Sequence, residues 1–162
     1  MIRIVLDANQ YVSAVLNPKG LAAAILRASG LWGEVERVFE LVVSPAILDE
    51  VQEVLGREHL RQLHGWSKGR VADFTSRLKD QAYLTPGRVV LTTTLKDPDD
   101  EVYLVAAVEA GASYLVTRDT ELRSLKEYQG VLILDPAAFL ALLRGEACRG
   151  LDWSRWCTLR LS

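Results

Sequence analysis

The stretch DPDDEVYLVAAVEAGASYLVTRDTEL, residues 97–122, decides the fold of this chain. It begins with a helix start. Pro98 suits the first helical position, where its missing N–H is not needed, and Asp97 before it is a favoured N-cap. The spacing predicts a helix over Glu101–Ala110. Asp100 shares a face with Leu104, Ala107 and Val108 and so points inward, whereas Asp99 lies on the opposite face. The β-rich run Tyr114–Thr117 follows, and two residues after it comes Asp119. A helix leading into a short apolar strand that ends beside an acid is a repeating unit of an α/β sheet.

The rest of the chain repeats that alternation. Four more β-rich runs stand out: Ile2–Leu6, Leu41–Ser44, Arg88–Thr92 and Val131–Leu134. They are mostly continuous Val, Ile and Leu, as expected of strands buried on both faces. Helices are predicted at about Leu21–Ser29, Ala46–Leu55, Gly69–Leu84, Glu121–Lys126 and Pro136–Leu143. The pattern argues for a parallel, doubly wound sheet of about five strands with right-handed crossovers. Gly56–Arg70 carries four basic residues, both histidines and Trp66, and reads as a helical extension with a break near Gly65. After Gly145 the character changes. Residues 1–144 are expected to form one domain and 145–162 a C-terminal tail, in which Trp153 and Trp156 either pack back or serve an interface.

The chain has 162 residues, 49% hydrophobic and 25% charged, with a net charge of −2. Binding nucleic acid through bulk basicity is excluded, but binding through a local patch is not. No apolar run is long enough to span a membrane, and the start has no signal-peptide pattern. Two cysteines, Cys148 and Cys157, argue against a disulfide framework. A cytoplasmic location is therefore expected.

Four acids fall where strands end or helices turn towards the core: Asp7 in VLDAN, Glu50 in SPAILDEV, Asp100 and Asp119. Asp7 directly follows the first strand, and Asn9 could hold it by a hydrogen bond or fix a water. Glu50 flanks the stripe Ile47, Leu48, Val51, Val54 and Leu55, whereas Asp49 and Glu53 point further out. Thr117 and Asp119 sit where a parallel strand delivers ligands to the carboxyl edge of the sheet. Each acid has an ordinary reading. Asp7 and Asp119 are potential N-caps, Asp100 could complete a capping box, and Glu50 could be a boundary residue. Together at one sheet edge they would repel one another, and a hard divalent cation with oxygen ligands is the simplest thing to stabilise them.

Other constellations are weak. There is no dinucleotide fingerprint, no P-loop and no GxSxG elbow. His59 and His64 are five apart and read as surface residues, and Ser44 before Pro45 reads as a helix cap. The cysteines lack partners at zinc spacing.

From Met1 to about Leu143 the chain resembles PIN-domain nucleases, in particular the bacterial and archaeal branch of toxins from toxin–antitoxin systems. The motifs are VLDAN followed by SAVL, SPAILDEVQEVL, the stretch 97–122 and a final ILDPAAFL. The resemblance implies a three-layer α/β/α sandwich with Asp7, Glu50, Asp100 and Asp119 as the four site acids. Asn9 and Thr117 match supporting polar positions, and Glu121 a frequent extra acid. Ala8 stands where Thr or Ser is common, and Gln10 where an apolar residue is common; neither departure removes a ligand.

The implied activity is endonucleolytic hydrolysis of single-stranded RNA at a site holding Mg²⁺ or Mn²⁺. Arg118 and basic residues of Arg57–Lys79 would contact the RNA backbone. The resemblance further implies a homodimer and an antitoxin partner. Two alternatives stay open. One is a non-catalytic RNA- or protein-binding α/β module in which the acids are caps. The other is a phosphatase-type enzyme with Asp7 as nucleophile, which lacks a second Asp at position 9.

Overall fold

The computed structural model describes residues 1–33 and 37–145, so the tail with Trp153 and Trp156 lies outside the described residues. The elements in chain order are β1 (Arg3–Leu6), α1 (Ala8–Leu16), α2 (Leu21–Ala28), β2 (Glu40–Val43), α3 (Pro45–Leu55), α4 (Glu58–His64), α5 (Lys68–Gln81), β3 (Tyr83–Leu84), α6 (Pro98–Glu109), β4 (Tyr114–Val116), α7 (Thr120–Ser124), β5 (Glu127–Tyr128), β6 (Val131–Leu134) and α8 (Pro136–Leu143). The strands form one sheet in the order β3-β2-β1-β4-β6-β5, and every pairing is parallel except β5 with β6. The architecture is an α/β sandwich. Its sheet has six strands rather than about five, because the short β5 folds back on the edge of β6.

The apolar runs are buried as their composition requires. Ile4, Val5 and Leu6 of β1 and Tyr114, Leu115 and Val116 of β4 are all inaccessible or nearly so. α6 lies against β1, β2 and β4, while α1 packs on α2 and α3. Phe139 of α8 meets Phe39 edge-on, with ring centroids 5.4 Å apart, and Tyr114 at 5.7 Å. These contacts make α8 part of the core and not an appendage.

Two expectations need correction. The run Arg88–Thr92 is not a strand. Sheet pairing on that side ends where Thr85 N–H donates to the carbonyl of Val43. Pro86 then removes a donor, and Gly87 takes φ +75°, a left-handed turn that leads the chain away. Side chains take over the amides that a strand would have used. Glu109 accepts from Gly87 and Arg88, and the Tyr128 hydroxyl accepts from Thr92. Val90 is left 89% exposed. The sheet's edge is instead Tyr83–Leu84, taken from the end of the predicted helix Gly69–Leu84, since Ala82 is already extended at ψ 161°. Directly after Asp7, α1 forms over Ala8–Leu16. The break near Gly65 is present, with Gly65 left-handed at φ 73°. His64 is half-buried and builds that break: its Nε2 lies 3.0 Å from the carbonyl oxygen of Leu55 and its Nδ1 accepts from Trp66 N–H.

Candidate active site

β1 and β4 lie side by side with Leu6 opposite Val116. The chain runs from β1 towards β2 on one side, and from β4 past α7 to β6 on the other. Their seam is therefore a topological switch point, where an open α/β sheet leaves a crevice beyond the carboxyl ends of its strands. Asp7 and Thr117 are the next residues out from these strand ends. Asp7 N–H donates to the carbonyl of Val116 at 3.4 Å, which continues the ladder one step.

Asp7 is 5% exposed. One carboxylate oxygen accepts from the amide of Gln10 at 3.1 Å, so Asp7 does cap α1. The other accepts from the Thr117 hydroxyl. Burial raises the Asp7 carboxyl above the ordinary range. The Thr117 and Gln10 bonds oppose that shift, and the negative charges of Asp119 and Glu50 add to it. Asn9 is exposed and forms no hydrogen bond to Asp7 among the described residues. The Thr117 hydroxyl, at the end of the neighbouring strand, makes the bond to Asp7 that was expected of Asn9.

Asp119 belongs to the same seam. Its amide donates to the Thr117 hydroxyl at 3.0 Å, and its carboxylate caps α7 by accepting from Leu122 N–H at 2.9 Å. Asp100 enters from α6. Asp97 caps that helix through the amide of Asp99. This leaves the Asp100 carboxylate without a hydrogen-bond partner among the described residues. It is half-buried while Asp99 is exposed. Burial pushes the Asp100 carboxyl up to about 6, reinforced by the negative charges of Asp119, Asp97, Glu121 and Asp7. Glu50 reaches the group from α3 and is half-buried, with Asp49 and Glu53 exposed beside it. One of its oxygens accepts from the Tyr103 hydroxyl at 2.5 Å.

The two remaining expected residues differ in their engagement. Glu121 is drawn to the Lys96 amide at 2.5 Å, where it anchors the segment that leads into α6. Arg118 is exposed next to Asp119. Tyr103 was not foreseen. It lies three residues after Asp100 on the same helix face, and an inward tyrosine carries a hydroxyl that must find a partner. That requirement is the signal that could have found it.

The donor set consists of carboxylate and hydroxyl oxygens, the hard ligands that Mg²⁺ and Mn²⁺ take. None of the four acids joins a salt bridge among the described residues, where the pairs are Arg3–Glu40, Arg57–Glu53 and Arg123–Asp135. Their mutual repulsion is thus not offset by a described cationic side chain, and in kind they fit a divalent cation. As placed, no three His, Cys, Asp or Glu side chains among the described residues stand close enough to hold one ion. Asp7, Glu50 and Asp119 each rest on a protein donor instead.

Comparison with known proteins bears on this arrangement. Residues 3–121 match the family model described as PIN domain. No curated protein matches the chain. Among solved structures it is similar to the crystal structure of VapBC2 from Rickettsia felis bound to a DNA fragment from their promoter. The TM-score is 0.52 at 11% identity, covering 82% of this chain and 97% of that one. At that identity the likeness is one of fold.

Proposed function

The chain belongs to the PIN domain family, and on that premise we propose that it is a divalent-cation-dependent endoribonuclease that hydrolyses phosphodiester bonds of single-stranded RNA. The observation that carries the reading is geometric: Thr117 at the β1–β4 seam bonds both Asp7 and the Asp119 amide, and Tyr103, one turn after Asp100, bonds both Glu50 and the amide next to Asp7. Elements far apart in sequence aim negative charge at one crevice, and a cation relieves that cost.

In this reading Asp7, Glu50, Asp100 and Asp119 hold Mg²⁺ or Mn²⁺. When bound, such an ion supplies an acidified water and neutralises charge on the phosphate. The protein's own part is to fix the ligands. Thr117 orients Asp7 and, through the Asp119 amide, the chain that carries the fourth acid. Arg118 lies exposed at the rim, where its guanidinium can meet a backbone phosphate. Basic residues of the Arg57–Lys79 stretch are the further candidates for backbone contact. A cytoplasmic location, a homodimer and an antitoxin that covers the site complete the proposal.

One observation favours a second reading. Asp7 and Asp119 do cap helices, as they would in a non-catalytic binding module. Cleavage of defined single-stranded RNAs separates the two. Wild type is expected to cut with Mg²⁺ or Mn²⁺, to stop with chelator, and to lose cutting in Asp100→Asn. A protein that binds RNA but never cuts it, with either metal, is the non-catalytic module.

A further inference from the structure

Tyr103 is 3% exposed, and its hydroxyl joins three helices. It accepts from the backbone amide of Ala8 at 3.2 Å and donates to Glu50 at 2.5 Å. Ala8 N–H belongs to the first turn of α1, directly after Asp7, and first-turn amides have no partner within their own helix. An amide can only donate. A carboxylate can only accept, so the phenol takes the Ala8 N–H and gives its own proton to Glu50. Glu50 is thereby held as an acceptor. Its other oxygen has no hydrogen-bond partner among the described residues, and its charge is felt at Asp7. Asp100 lies one turn before Tyr103 on the same helix, so this one hydroxyl ties together the elements that carry Asp7, Glu50 and Asp100.

We propose that Tyr103 is a positioning residue for the cation site: it holds Glu50 towards Asp7 with one carboxylate oxygen left for the ion. This rests on the metal-dependent reading above. The alternative is that Tyr103 only fills the core and satisfies Ala8.

Tyr103→Phe distinguishes the two, with Tyr114→Phe as control. Tyr114 is as deeply buried, and its hydroxyl has no hydrogen-bond partner among the described residues. Mn²⁺ affinity is measured by isothermal titration calorimetry, alongside metal-free melting and RNA cleavage. Removing a group that orients a metal ligand costs about tenfold to a hundredfold in metal affinity. The expected result is that loss in Tyr103→Phe and none in Tyr114→Phe. The cleavage defect of Tyr103→Phe should fall on kcat and close at saturating Mn²⁺. Wild-type Mn²⁺ affinity in Tyr103→Phe, with only a lowered melting point, overturns the inference and leaves the metal reading standing. No Mn²⁺ binding by the wild type overturns both. Should Tyr103→Phe not fold, the wild type labelled at tyrosine Cζ provides the test. Saturating Mg²⁺ must move the Tyr103 resonance and leave that of Tyr114 in place. An unmoved Tyr103 resonance contradicts the inference.

Discussion

Thr117 donates its hydroxyl to the Asp7 carboxylate across the seam between β4 and β1, and the same oxygen accepts the amide of Asp119. Thr117 is fully buried. Thr117→Val keeps the shape and removes both bonds, leaving a buried carboxylate and a half-buried amide short of a partner. The expected cost is about 1–3 kcal/mol of stability, read from urea unfolding. Thr117→Ser retains the hydroxyl and should lose less.

Asp100 gives a pH dependence whose sign can be worked out. Its ordinary value is 3.8, and in the fold it lies at about 6. The native state therefore holds this proton more tightly than the unfolded chain does. Its destabilising contribution is absent below about pH 4, grows as pH rises towards about 6, and is complete above that. Asp100→Asn removes it. The metal-free variant should melt higher than wild type at pH 7.5, and the gain should vanish near pH 4. A gain that persists at low pH would refute this source of strain.

The segment from Thr85 to Asp97 is held by side chains rather than by a strand partner. Glu109 grips the amides of Gly87 and Arg88, and Glu101 the amide of Leu95. Glu109→Ala should speed hydrogen exchange at Gly87 and Arg88 while leaving β4 amides protected. Because these groups are exposed, global stability should fall by no more than about 1 kcal/mol.

Phe139→Ala tests whether α8 belongs to the core. Phe139 is fully buried against Phe39 and Tyr114. Truncation should cost about 3–5 kcal/mol in chemical denaturation. A surface element would lose almost nothing.

Much of this arrangement was legible in the sequence because it rests on local rules. Helical phase separated Asp100 from Asp99, and Glu50 from Asp49 and Glu53, and the exposures follow the same division. Ser44, Asp97 and Pro98 mark helix starts by their own chemistry. What stayed hidden depends on partners distant in sequence. RVVLT has the composition of a strand, but Pro86, Gly87 and the grip of Glu109 and Tyr128 decide otherwise. In α1, Tyr11, Val12 and Val15 have the composition of a strand and mask a helix in which all three are buried. No local rule names the partners of the Tyr103 hydroxyl, which lie 95 and 53 residues away.

The account's central claim is that Asp7, Glu50, Asp100 and Asp119 act as one cation site. Mn²⁺ binding followed by electron paramagnetic resonance, on wild type and on Asp7→Asn, Glu50→Gln, Asp100→Asn and Asp119→Asn, tests it most directly. The account predicts saturable binding by the wild type and a loss of about tenfold or more in every variant. Absence of binding by the wild type, or four variants that bind Mn²⁺ as it does, would contradict it.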